Sequence, residues 1–545
     1  MSDRMNNLVD QVSGERLMAH CARFARYEKL SGTAPELASL REVEAALATA
    51  GFRTEIVMHD AYISLPGKAA VVVSGSSLVA ITHSFSLSSP QVGLSARLVD
   101  VGAGTDTDFA RLASEGLGLR GAIVLVDGIA SPAVAARAAR VGAAGQLHVS
   151  PHEHLHEMCI SPVWGSPSTE TLGDLPQTVA CTISLADGTA LRQHMPDTIT
   201  LHASVDTGWR ETPILQADLD GPDPDGPFIL FSGHHDTWFY GVMDNGSANA
   251  TMIETARVLA SRHADWKRGL RLCFWSGHSH GRYSGSSWYV DTHWAELERR
   301  CAVHVNVDST GGIGAAVMTD TAVPAELMAL GADAVYAESG QTLLGKRPNR
   351  NSDMSFWGVG IPSMFGSMSH QPPAPVAMRN PLGWWWHTPH DTLDKVDKAN
   401  LVRDTRIFVR TIWHLLTDPV LPLDFAAYAR VLTDELRRIE ATLGDRLSLT
   451  SLLTATAALE VAATLATSDT ALMALSRALV PADYTTGDRF SHDPALPMSP
   501  WPVLDPVRAL AAAPEGDLAR FAFVGAQRAR NRLHHILLEA MRKDR

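Results

Sequence analysis

Phe228-Ile-Leu-Phe-Ser-Gly-His-His-Asp236 begins as an apolar run and closes on three polar side chains. An apolar run without alternation reads as a strand buried on both faces. Eight residues after Asp236, Asp244-Asn245-Gly246-Ser247 opens a helical pattern over 247–262. The alternation continues with Leu270-Arg-Leu-Cys-Phe-Trp275, a helix near 286–300, and Ala302-Val-His-Val-Asn-Val307. Strands alternating with helices predict an α/β fold built on a mainly parallel, helix-covered sheet. Ligands of such sheets bind beyond the C-terminal strand ends, where His234, Asp236 and Asp244 are expected to gather.

Three more polar tips follow the same rule. They are Trp275-Ser-Gly-His278-Ser279-His280-Gly281, Asn306-Val-Asp308, and Trp386-His387-Thr-Pro-His-Asp391-Thr392. Imidazole nitrogens and carboxylate oxygens from separate strand tips are the ligands a borderline-soft divalent ion takes, and two ions can share one carboxylate.

Outward from this centre, residues 14–51 carry helical spacing that ends at Gly51, and an extended segment follows. From about 65 to 205 the texture becomes β-rich, with Ala69-Ala-Val-Val-Val, Ala122-Ile-Val-Leu-Val and Thr198-Ile-Thr-Leu as strands and one helix near 132–141. The Pro/Asp-rich linker 218–227 closes this insert. Beyond 421 the chain reads as helices at 421–443, 448–466 and 528–543, with a Pro-rich stretch from Pro481 to Pro506. The expected domains are 1–64 plus 206–420 for the catalytic unit, 65–205 for the insert, and 421–545 for a helical unit.

The 545 residues hold 45% hydrophobic and 19% charged side chains, enough for a large core and against disorder. Lys+Arg 46 against Asp+Glu 59 leaves a net charge of −13 without a basic block, so no nucleic-acid partner is expected. No stretch reaches the roughly 18 apolar residues of a membrane span, and the N-terminus lacks an apolar signal core, which together predict a cytoplasmic protein without membrane attachment. The five cysteines are odd in number and widely spaced, and are expected to be reduced, mostly buried thiols.

The order His-x-Asp, Asp-Asn-Gly, Trp-x-Gly, Asn-x-Asp and His-Thr-Pro-x-Asp-Thr resembles the co-catalytic zinc peptidases that include bacterial leucyl aminopeptidases and glutamate carboxypeptidase II. The insert, with Gly121-Ala-Ile-Val-Leu-Val-Asp and Gly142-Ala-Ala-Gly, resembles a protease-associated domain. Tyr484-Thr-Thr-Gly-Asp-Arg-Phe-Ser-His-Asp-Pro-Ala-Leu-Pro resembles the helical dimerisation domain of the carboxypeptidase branch, related to the transferrin receptor's. The resemblance implies a metal-dependent hydrolase cleaving an amide or peptide-like bond of a small molecule or short peptide, and a homodimer. It makes His234 and Asp308 ligands of one metal, His387 of the other, and Asp244 the bridge, with Asp236 orienting His234. The cofactor implied is zinc, as one or two ions, with manganese or iron as alternatives.

The family places two consecutive glutamates in the turn after Trp275, as general base and metal ligand, and this chain has His278-Ser279. A family tyrosine before the histidine of His-Thr-Pro is Trp386 here, whose indole N–H donates but does not titrate. Three readings of the departure stand. His278 accepts the proton of the metal-bound water while Ser279 or a water fills the ligand place; or His278 or His280 becomes a ligand, and the chemistry differs from peptide hydrolysis; or the chain is a non-catalytic binding or scaffold relative. Acyl transfer or cyclisation, as in glutaminyl cyclases, is the rival enzymatic reading.

Weaker candidates surround the centre. His148, His152, His154 and His156 have the spacing of a metal-binding strand or of an interface loop, and the resemblance, in which the insert's loops lean over the active site, implies that His156 or Glu157 touches substrate. Arg347, Arg350 and Asn351 are candidates for substrate contact, a guanidinium being able to clamp a carboxylate. Trp384-Trp385-Trp386 reads as packing beside the site, or as an aromatic wall for an apolar substrate group, with Trp386 the substrate-binding candidate.

Overall fold

The structure, a computed structural model, describes residues 2–373 and 381–542. Its strands are β1 Arg53–Val73, β2 Ser76–Thr82, β3 Leu94–Asp100, β4 Ile123–Asp127, β5 Gly145–Val149, β6 Val179–Ile183, β7 Thr198–Leu219, β8 Phe228–His234, β9 Gly269–Trp275, β10 Cys301–Asp308 and β11 Ser363–Ser367. They form one mixed sheet in the order β1-β2-β6-β5-β4-β3-β7-β9-β8-β10-β11. The predicted parallel centre is β9-β8-β10-β11, in which every residue of β8 and β9 is buried. Helices on both faces leave these strands no wet side, which is why the apolar runs do not alternate.

The sheet is less parallel than expected, because β7 runs antiparallel to β9 and to β1. Both are long strands that extend from beside β9 into the 65–205 segment, with a register shift between Pro66 and Ala69. A proline cannot donate to the ladder, so the irregularity falls there. Within that segment β3, β4, β5 and β6 are parallel.

The single helix expected there, Pro132–Arg140, is joined by two more, Asp106–Ser114 and Leu185–Gln193. Each is only nine residues long, so its apolar period is short, but Thr105 and Ser184 cap the two ends as sequence-legible start signals.

After residue 421 the helices are Phe425–Leu443, Thr450–Thr464, Asp469–Tyr484, Asp505–Ala512 and Asp517–Ala540. The expected Pro-rich break thus begins too early: Pro481 lies in the last turn of Asp469–Tyr484, where a missing N–H ends a helix already closing. The last expected helix starts eleven residues before 528, and residue 543 lies outside the described residues. One apolar core joins the N-terminal helices, β8–β10 and these C-terminal helices, from Met5 to Leu537. No helix among the described residues is long and apolar enough to cross a membrane. All five cysteines are buried and unpaired.

Candidate metal centre

Parallel pairing sets the tips of β8, β9 and β10 side by side, with His234 opposite Trp275 and Ser232 opposite Asn306. At Gly233 a Cβ would stand 2.6 Å from the Val307 carbonyl oxygen, so the approach of β8 to β10 needs glycine. The helix start at 244–249 is tied to both strands. Asn245 and Asn249 donate to the His234 carbonyl at 3.1 and 2.6 Å, and the Ser309 N–H donates to Asn245 Oδ1 at 2.9 Å. Buried Asp391 accepts the N–H groups of Met243 and Asp244 at 2.9 and 3.0 Å.

Asp244 lies between two imidazoles, with Oδ1 3.2 Å from His234 Nε2 and Oδ2 3.2 Å from His387 Nε2. Asp308 Oδ1 is 3.7 Å from His234 Nε2. Both rings are turned the same way by carbonyl oxygens: His234 Nδ1 donates to Asp236 O at 2.8 Å and His387 Nδ1 to Glu157 O at 2.7 Å. A carbonyl only accepts, so Nδ1 carries the proton and Nε2 presents its lone pair to the carboxylate. Buried His234 Nε2 and Asp244 Oδ1 accordingly have no hydrogen-bond partner. Two lone pairs opposed in a dry site call for a cation between them, and this donor set fits a divalent metal. Burial works against charge on His234, yet without an ion Asp244 and Asp308 outweigh it and hold its pKa well above the ordinary value, so that a proton on Nε2 takes the place a metal cation would fill. Burial also opposes ionisation of Asp244, and His234 and His387 keep its pKa low.

The carboxylate of Asp236 meets the turn after β9. It accepts from the N–H of His278 at 3.2 Å, the N–H of Ser279 at 2.9 Å and the Ser31 hydroxyl at 2.6 Å. Asp236 therefore meets His234 through its carbonyl and the 276–281 turn through its side chain. The His278 ring stacks on that of His234, centroids 3.6 Å apart and planes 14° from parallel. A ring nitrogen of each, with a carboxylate oxygen of Asp308, forms a three-donor group whose atoms lie within 4.8 Å of one another.

Ser279 Oγ and His280 Nε2 are buried without partners, and among the described residues His280 completes no such group of histidine and carboxylate donors. His280 Nδ1 is 2.9 Å from Ser31 Oγ and its ring rests on Trp238. Burial lowers its pKa to about 4.

The remaining candidates fall elsewhere. Trp386 stacks on His387 with centroids 3.4 Å apart. His156 Nδ1 lies 2.5 Å from Trp386 O, and its Nε2 3.0 Å from His152 Nε2. With Glu157 N–H donating to His387 O at 3.0 Å, the histidine loop of the insert is docked on the His387 loop. Arg347 pairs with Asp483 at 2.9 Å and covers Tyr484, while Arg350 donates to the carbonyls of Asp493 and Pro494 at 2.6 and 3.1 Å. Both guanidinium groups thus serve the seam with the C-terminal segment; Asn351 is exposed.

Sequence reading gave no role to Asp353, Ser31 or Asp391. Asp353 is fully buried and accepts from His278 Nδ1 at 2.8 Å. An acid set directly before the apolar Met354-Ser-Phe-Trp357 is the one signal that marks it.

Residues 215–412 match peptidase family M28. A probable glutamate carboxypeptidase of Zea mays is 23% identical over 506 residues, covering 76% of this chain and 68% of its own length. The probable glutamate carboxypeptidase AMP1 of Arabidopsis thaliana is 20% identical over 529 residues, covering 82% and 73%. Among solved structures, a zinc aminopeptidase from Bacillus subtilis aligns with TM-score 0.58 and 19% identity over 75% of this chain and 96% of its own. A peptidase M28 precursor from Shewanella amazonensis aligns with TM-score 0.61 and 19% identity over 77% and 97%. These structures share the fold of this chain.

Proposed function

Residues 215–412 being a peptidase family M28 domain, we propose that the chain is a metal-dependent hydrolase of an amide or peptide-like bond in a small molecule or short peptide. The observation that carries the reading is the carboxylate of Asp244 set between the lone pairs of His234 and His387, with Asp308 beside them. These four residues would hold the ion or ions, zinc first by donor type. A divalent ion held there supplies Lewis acidity, polarising the scissile carbonyl and lowering the pKa of bound water toward about 7.

The chain's own groups do the rest. Asp391 and Asn245 keep the Asp244 loop against the strand tips, and the carbonyls of Asp236 and Glu157 hold both imidazoles with Nε2 inward. Trp386, flat on His387, forms a wall from which an indole N–H can donate to substrate. Of the altered turn, His278 is the side chain that joins the donor set, as proton acceptor or as ligand. The buried, unpaired thiols support a reducing compartment, the cytoplasm, as part of the same proposal.

The test is release of amine by the full chain loaded with zinc or manganese, against a panel of aminoacyl amides, dipeptides and peptides ending in an acidic residue. Turnover abolished by chelator and restored by metal supports the proposal. A metal-loaded protein that cleaves no member of the panel overturns it.

A further inference from the structure

We propose that His278 is a metal ligand and that Asp353 is the residue that positions it, so that the ion bound most tightly is held by His234, His278 and Asp308. This deepens the hydrolase reading and rests on it. Three histidines at the centre share one arrangement, with Nδ1 engaged by an oxygen acceptor: Asp236 O for His234, Glu157 O for His387, and Asp353 Oδ2 for His278. With the Nδ1 proton donated to Asp353 Oδ2 at 2.8 Å, His278 keeps the Nε2 lone pair free for an ion. Ligating histidines are oriented by this kind of outer contact, and a carboxylate partner also raises the donor strength of the imidazole.

The placement agrees with the tautomer. A ring nitrogen of His278 lies within 4.8 Å of one of His234 and of a carboxylate oxygen of Asp308; the two rings stack with centroids 3.6 Å apart, and because imidazole lone pairs lie in the ring plane, a shared ion takes up His278 with a turn of its ring out of the stack. Ser352 supports both halves of the group. Its hydroxyl donates to Asp308 Oδ2 at 3.0 Å, accepts from Asn306 Nδ2 at 2.8 Å, and its chain neighbour is Asp353 itself. Asp353 is fully buried, its Oδ1 has no partner, and Arg and Lys supply it no ion pair among the described residues. A buried carboxylate with a single hydrogen-bonded imidazole is costly to maintain unless that imidazole is in turn bound to a cation.

The consequence is an altered centre. The turn has lost both glutamates and offers the His278 imidazole instead, so a tight site of two nitrogens with carboxylate oxygens from Asp308 and Asp244 is nitrogen-rich and favours zinc, cobalt or iron over manganese. The other side, His387 with Asp244 Oδ2, offers two protein donors and completes no three-donor group among the described residues. One tight equivalent per chain is expected, and any second ion binds more weakly.

The experiment is a zinc titration of chelator-treated full-length protein against a chromophoric competitor, with cobalt absorption spectra of the same samples. Asp353→Asn keeps shape and removes the charge; His278→Ala and His278→Gln remove the ligand. Circular dichroism and melting of the metal-free forms confirm that each variant folds.

We expect Asp353→Asn to weaken the first equivalent by about 10- to 100-fold, and both His278 variants to weaken it further and to change the cobalt spectrum. Wild-type affinity and an unchanged spectrum in a folded His278 variant overturn the ligand role. If that variant also loses turnover, His278 is the proton acceptor and the hydrolase reading stands. Wild-type affinity in Asp353→Asn overturns the positioning role alone. A wild-type protein that takes up no zinc, cobalt or manganese overturns this inference together with the hydrolase reading.

Discussion

Asp244 can serve two imidazoles because its backbone is held from outside the pair. Asp391 takes its N–H, and Asn245, next in the chain, takes the N–H of Ser309, the residue after β10. With both carboxylate oxygens committed, the side chain has one useful orientation, and shortening it removes a donor from each side. Asp244→Ala is expected to weaken metal binding by more than the roughly 100-fold that loss of an outer partner costs, and to abolish amide hydrolysis. Metal content per chain, measured by mass spectrometry beside turnover, checks both at once. An active, fully metallated variant refutes the bridging role. At this scale much was legible: His234, Asp244, Asp308 and His387 stood out as polar tips of apolar runs. Asp353 did not, because it lies 75 residues from His278 and the hydrogen bond is set by how β10, β11 and the 352–357 turn pack, not by local spacing.

Arg268, at the start of β9, shows how an element is anchored. Its fully buried guanidinium holds Asp469 in two hydrogen bonds of 2.6 and 2.7 Å and donates to the carbonyls of Leu415 and Asp418. One side chain thereby ties the sheet to the end of helix Lys398–Thr417 and the start of Asp469–Tyr484. Arg268→Ala leaves a carboxylate and two carbonyls without this donor, and about 3 kcal/mol of stability should be lost, read by chemical denaturation.

Glu326, in the short helix Ala325–Leu327, is the opposite case. Burial raises its carboxyl to about 8, and one oxygen has no partner. The folded state therefore favours the protonated acid, so stability falls as pH rises from the ordinary glutamate range near 4.3 toward 8 and is level above that. Glu326→Gln should match wild type near pH 4 and exceed it at pH 9 by on the order of a few kcal/mol. Equal denaturation midpoints at pH 9 would remove the argument. Elements of this length were the hardest to see in the sequence: nine-residue helices such as Asp106–Ser114 offer two turns of periodicity, whereas β8 and β9 declare themselves by continuous burial.

Across the whole molecule, the sheet helices and the C-terminal helices share one apolar core, so neither is expected to fold alone. A chain ending near residue 420 should express as aggregate or lack near-ultraviolet circular dichroism, while the full chain stays in solution and shows that signal. A soluble, ordered truncation would contradict this. Because an ion at the centre binds the folded state alone, chelation should lower the melting temperature. At free metal 100 times its dissociation constant the loss is about 2.7 kcal/mol, visible by calorimetry with and without chelator. Light scattering of the full chain tests the expected homodimer, for which Val461, Leu518 and Phe521 offer exposed apolar side chains on two of the C-terminal helices.

The order of buried strands and helices, and the residue types at their polar ends, are written in the linear chain. Both follow from burial and period, which are properties of short stretches. Only the tertiary structure decided which tips meet, that the insert's Glu157 orients His387 from 230 residues away, and that His278 faces Asp353 while Ser279 and His280 turn aside. Those choices depend on strand register and on hydrogen bonds between segments distant in the chain, and no local pattern encodes either.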